Sequence, residues 1–84
     1  MTRIEIYGRD GCSYCDSAKM LCELRGYPFV YRNTTGDSQA LAEMMARNPA
    51  AKTFPQIFVG DTLIGGFAEL SGTPKAHLQQ LIGE

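Results

Sequence analysis

Apolar and polar residues alternate along Arg3–Tyr7 (RIEIY), with Ile4 and Ile6 on one side, which predicts a strand. Gly8 and Gly11 bracket a turn, and the period then lengthens. Over Ser13–Arg25, Tyr14, Ala18 and Leu21 share one side of a predicted helix, Cys15 and Cys22 lie on its flank, and Asp16, Lys19 and Glu23 take the wet side. Gly26 is a stop signal. Tyr27–Tyr31 (YPFVY) is aromatic and β-branched and predicts a second strand. Asn33–Asp37 (NTTGD) reads as a loop in which Asp37 or Ser38 caps a second helix, with Leu41, Met44 and Met45 as its apolar stripe and Asn48-Pro49 as its end. The runs QIFVG and TLIGG, separated by Asp61, predict a hairpin. A short helical turn follows Gly65-Gly66 and ends near Gly72. Thr73-Pro74, an N-cap followed by proline at the first helical position, then opens a last helix that buries Leu78, Leu81 and Ile82.

The resulting order, β-α-β-α-β-β-α, is that of a small α/β sandwich. Its first βαβ unit must be a right-handed parallel crossover, because only that hand packs the helix back on a twisted sheet. Eighty-four residues fit one domain, here 1–84, with a single core. A formal net charge of −1 leaves no basic face for a phosphate backbone, so nucleic acid is not an expected partner. No apolar run reaches the length of a membrane span, and the first residues lack the uninterrupted apolar segment of an export signal. The expected compartment is the reducing cytoplasm, where a close cysteine pair is more often catalytic or metal-binding than a structural staple.

Cys12 and Cys15 stand where the first strand hands over to its helix. The first helical turn has four N–H groups without intrahelical partners, and the macrodipole adds partial positive charge beside Cys12. Both favour thiolate over thiol. Cys15, one turn inside, is better shielded and stays a thiol. An exposed nucleophile with a resolving partner in reach suits disulfide exchange. A structural zinc needs four ligands, and only Cys12, Cys15, Cys22 and His77 are on offer, with Cys22 two turns down the helix; no metal site is expected. Cys22 and the paired methionines read as core filling, His77 as solvated, and Tyr7, Tyr27 and Tyr31 as ordinary strand residues. Pro55 directly precedes a pairing strand and offers the one kind of peptide bond that adopts cis readily. Gly65-Gly66 then opens a helical turn with bare N–H groups suited to a carboxylate.

Cys12-Ser13-Tyr14-Cys15, Thr53-Phe54-Pro55 and Gly65-Gly66, in this order and spacing, make the chain resemble a glutaredoxin over essentially its whole length. The resemblance implies a thioredoxin-like fold with a four-stranded mixed sheet, glutathione as co-substrate, and disulfide-containing or glutathionylated proteins as substrates, ribonucleotide reductase among them. It implies Cys12 as nucleophile and Cys15 as resolving thiol in a monomer. Tyr14 flanks the tripeptide, and Thr53, Phe54 and cis Pro55 present backbone to its cysteinyl part as in strand addition. The N–H groups after Gly66, from Phe67 and Ala68, take the γ-glutamyl carboxylate. Arg9, where the family usually has lysine, meets the glycyl carboxylate and favours the thiolate. Three departures stand out. Ser13 replaces the proline of the commonest dithiol motif, which keeps alive an alternative in which Cys12 and glutathione hold a [2Fe–2S] cluster across a dimer. Ala68 replaces an Asp or Ser, with Glu69 as a substitute. A second-helix contact falls on Ala42, with Gln39 one turn earlier.

Overall fold

The computed structural model describes residues 2–83. It contains β1 (Ile4–Gly8), α1 (Ser13–Arg25), β2 (Phe29–Asn33), α2 (Ser38–Arg47), β3 (Gln56–Val59), β4 (Thr62–Gly65), α3 (Phe67–Gly72) and α4 (Lys75–Ile82). The sheet order is β2-β1-β3-β4, with β1 parallel to β2 and the other two pairings antiparallel. This is the mixed four-stranded sheet expected, with β1 at its centre feeding the Cys12 turn.

The two faces of β1 sort the core. Ile4 and Ile6 face Ala18 and Cys22 of α1 and Leu78 and Ile82 of α4, in a cluster completed by Tyr27, Ile57, Val59 and Leu70. Each fully buried aliphatic side chain there contributes about 1.5–3 kcal/mol relative to exposure. The opposite face carries Tyr7, Phe58 and Met44 of α2. Tyr7 meets Phe58 edge-on at 5.7 Å between centroids. The Arg47 guanidinium closes this side, reaching Glu5 Oε1 at 2.9 Å, the Tyr7 hydroxyl at 3.2 Å and the Gly60 carbonyl at 2.5 Å. One residue at the end of α2 thus ties that helix to β1 and to the β3–β4 turn.

Four details differ from the sequence reading. The second strand begins at Phe29 rather than Tyr27. Gly26 adopts a left-handed conformation and the Tyr27 N–H donates back to the Cys22 carbonyl at 2.9 Å, so the helix exit consumes Tyr27 before pairing can start. In α2 the buried line is Ala40 and Met44, while Leu41 and Met45 are exposed, because one helix covers this face and presents only a narrow stripe to it. Tyr14 does not join the core: it is 64% exposed. Thr73 does not cap α4 with its side chain; its hydroxyl turns back to the Glu69 carbonyl at 2.6 Å, and α4 starts at Lys75 after Pro74.

Candidate active site

Cys12 is itself the N-cap of α1. Its backbone is extended (φ −105°, ψ 104°), and its Sγ accepts the Cys15 N–H at 3.1 Å, a place ordinarily held by a serine or aspartate oxygen. The sulfur therefore receives one of the orphan donors of the first turn, a contact that strengthens when the acceptor is a thiolate. Cys12 is half-buried and Cys15 fully buried. The two are joined as a disulfide with Cα atoms 5.3 Å apart, within the span such a bond needs.

The turn bearing Cys12 is pinned from a distance. The Asn33 side-chain amide donates to Asp10 Oδ1 at 2.7 Å, and the Asp10 N–H donates to Thr35 Oγ1 at 2.9 Å. The buried Thr34 sends both its N–H and its hydroxyl to the Gly8 carbonyl, at 2.7 and 2.9 Å. A Cβ at Gly8 would overlap the Tyr31 ring and hydroxyl, so any larger residue there would displace that ring. Lys19 Nζ lies 4.1 Å from the centroid of that ring. Burial, then the Asp16 and Asp10 carboxylates, hold the Tyr31 hydroxyl above its ordinary range. Sequence reading missed Asp10, Asn33, Thr34 and Thr35 as positioning residues. A polar NTT run looks like any solvated loop, and its partners lie 23 to 26 residues away in sequence.

A groove of about 210 Å³ beside the cysteines is lined by Tyr14, Phe54, Pro55, Phe67, Ala68 and Glu69. The Phe54–Pro55 peptide is cis. Tyr14 and Phe67 form a wall of near-parallel rings, 6.1 Å between centroids and 25° between planes. At the other side Arg9 lies over Phe54, 5.3 Å from its centroid. Glu69 Oε1 accepts the Gly66 N–H at 2.7 Å at the start of α3, the one half of a capping box that a glycine N-cap allows. Gly65 has φ +122°, and a Cβ there would press on Glu69 at 2.9 Å. Thr53 is exposed and not among the lining residues, next in sequence to Phe54; its carbonyl accepts the Gln56 side-chain amide at 2.8 Å. Of the residues singled out from sequence, Tyr14, Phe54, Pro55, Phe67 and Ala68 line the groove, and Arg9 adjoins it through Phe54. Gly66 borders it. Gln39 and Ala42 are both exposed on α2 and make no contact with it here.

Cys22 stays apart from this chemistry. It is fully buried in the core, and burial pushes its thiol up to about 11. Among the described residues no group of three or more histidine, cysteine or acidic side chains is placed to hold a metal ion. None of the helices described is long and apolar enough to cross a membrane.

The glutaredoxin family model matches residues 4–64. A probable glutaredoxin of Synechocystis sp. is 41% identical over 70 residues, covering 83% of this chain, which spans 64% of that protein's length. Glutaredoxin 3 of Escherichia coli is 36% identical over 70 residues, 83% of each chain. The solution structure of a glutaredoxin from Brucella melitensis superposes with a TM-score of 0.73 at 33% identity, covering 100% of this chain and 94% of the other. Family and cysteine pair together support thiol–disulfide oxidoreductase chemistry. A cysteine pair opening α1, a cis proline in the groove that Tyr14 also lines, and a thioredoxin-like sheet beneath them have one shared context, and the chain belongs to the glutaredoxin family.

Proposed function

We propose that this protein is a glutathione-dependent thiol–disulfide oxidoreductase that reduces protein disulfides and glutathione mixed disulfides through Cys12 and Cys15. We read it as a single domain over residues 1–84 that works as a cytoplasmic monomer, with ribonucleotide reductase among its candidate protein substrates. The observation that carries the reading is the position of Cys12 Sγ: capped by the Cys15 N–H at 3.1 Å, on a half-exposed residue, and two residues from Tyr14, which lines the groove.

For a protein disulfide the chemistry runs in two exchanges that reduce the substrate and two that restore the dithiol. The Cys12 thiolate attacks one sulfur of the substrate disulfide, forming a mixed disulfide and releasing the other sulfur as a thiolate that takes up a proton. For a protein disulfide, the Cys15 thiol, deprotonated, then attacks Cys12 Sγ, releasing the second substrate thiol and leaving the Cys12–Cys15 disulfide. One glutathione thiolate opens that disulfide and a second releases glutathione disulfide, which returns the two electrons. A glutathionylated substrate is attacked at the glutathione sulfur and needs Cys12 alone.

The groove's ends have opposite charge. Arg9 suits the glycyl carboxylate. At the far end the Phe67 and Ala68 N–H groups, in a first helical turn with no carbonyl to meet, suit the γ-glutamyl carboxylate. Glu69 suits the γ-glutamyl ammonium, the contact that Ala68 cannot make. Thr53, Phe54 and Pro55 supply the extended backbone between the two ends, and Gly66 keeps that backbone approach open.

A glutathione-coupled assay on a small mixed disulfide tests the reading. Cys12→Ser is expected to abolish all exchange. Cys15→Ser is expected to keep removal of glutathione from mixed disulfides and to lose reduction of protein disulfides. Wild-type activity in Cys12→Ser would overturn the assignment.

A further inference from the structure

The surface beside the groove does not turn polar. On α1, Met20 is 61% and Leu24 81% exposed, although both stand on a helix whose other side is packed. Together with Ser17, Leu21, Arg25 and Phe67 they line a second hollow of about 370 Å³. Single exposed apolar residues are ordinary, but several gathered round one concavity mark an interaction site. Phe67 is the shared wall: it borders this hollow on one side and the groove on the other, stacked there on Tyr14, two residues from Cys12. The hollow is therefore continuous with the redox site. Arg25 sits at its far end and makes no ion pair among the described residues.

We propose that this hollow docks a segment of the disulfide-bearing protein substrate while its sulfur is exchanged at Cys12. The proposal rests on the oxidoreductase reading above and names the feature that protein substrates would share. Met20 and Leu24 lie eight and twelve residues along α1 from Cys12, a rise of about 12 and 18 Å. An extended segment covers that distance in about four to six residues. The favoured substrate thus carries a large apolar side chain about five residues from its reactive cysteine, with an acidic residue beyond it to meet Arg25. Methionine suits such a surface because its flexible thioether adapts to differently shaped side chains. Glutathione, which ends within the first groove, gains nothing from the second.

The test uses pre-reduced protein in single turnover, so that no step depends on glutathione. One substrate is a disulfide-looped peptide with leucine about five residues outside each cysteine and glutamate after each leucine; its control carries serine at all four positions. The wild type is expected to oxidise about tenfold faster with the leucine peptide at limiting concentration, the discrimination an apolar pocket commonly supplies. Met20→Glu with Leu24→Glu should erase that preference, and the milder Leu24→Ala should reduce it, provided thermal melts show each variant folded. Both variants should match the wild type on a glutathione–mercaptoethanol mixed disulfide. Equal rates on the two peptides, or a preference that survives in both variants, would overturn the proposal. So would a concentration-dependent dimer that the double variant abolishes while the peptides react alike, since a second copy would then be the occupant. Loss of the mixed-disulfide activity in the wild type would strike the glutathione reading alone and leave the peptide comparison standing.

Discussion

Arg9 lies over the ring of Phe54, its guanidinium carbon 5.3 Å from the centroid. The contact joins the turn that bears Cys12 to the loop that bears the cis proline, so the two halves of the groove are held together by a cation against a ring face. It also leaves the guanidinium edge free for a carboxylate. Arg9→Ala is expected to raise the KM for glutathione about three- to tenfold, the sum of a modest exposed ion contact and the lost stacking. Because Arg9 is exposed, added salt should shrink the difference between variant and wild type. Steady-state kinetics at two ionic strengths check both statements.

Glu69 has two separable duties, capping Gly66 and presenting a negative charge at the groove's end. In Glu69→Gln the amide oxygen can still accept the Gly66 N–H, so the melting temperature should hold while the KM for glutathione rises severalfold. Glu69→Ala loses that hydrogen bond as well and should cost about 0.5–1.5 kcal/mol of stability. Thermal melts paired with glutathione kinetics separate the two duties.

Cys22 gives a pH signature. Its thiol ionises near 9.0 when free of the fold and is pushed up to about 11 by burial. A group whose pKa is raised by folding stabilises the native state fully below the unfolded value. That contribution is lost as pH climbs through the folded value. Stability should therefore fall between about 9 and about 11, and the fall should be shallower in Cys22→Ala. Alkylation of native protein at neutral pH should spare Cys22 and modify it only on unfolding. Denaturant melts against pH, with mass spectrometry of the alkylated chain, report both.

Much of this was legible in the residue pattern. The alternation at Ile4 and Ile6, the long period of α1 and the stop at Gly26 each reflect one local force, and both ends of α1 fall where read. Cys12, Cys15 and Pro55 stood out because their chemistry is unusual at those positions, whereas Phe54 and Phe67 followed only from what the glutaredoxin resemblance implies. What stayed hidden was non-local. Thr34 and Asn33 matter through partners across the sheet, and Arg47 looks like an ordinary C-terminal helix cation until β1 and the β3–β4 turn come into its reach. Tyr14 was misplaced because helical spacing puts it in line with Ala18, yet the first turn of α1 projects past the packed sheet and the ring stacks on Phe67 instead.

Ser13 bears on the cluster alternative. Serine keeps an N–H and some freedom in the turn between the cysteines, where proline would remove both. The purified protein is expected to be a colourless monomer with disulfide chemistry. Anaerobic reconstitution with iron, sulfide and glutathione should yield at most a minor dimeric [2Fe–2S] form, and Ser13→Pro should suppress it while leaving reductase activity largely intact. Visible absorption with size-exclusion chromatography checks this; a brown, dimeric protein inactive until bleached would reverse the ranking.

The most direct test of the central claim is the mass of the trapped intermediate. Cys15→Ser protein, reduced and then mixed with glutathione disulfide, should gain a single glutathionyl group, and peptide mapping should find it on Cys12. Added glutathione should remove it. A glutathionyl group on another residue, or none while the variant still turns over mixed disulfides, would contradict the account.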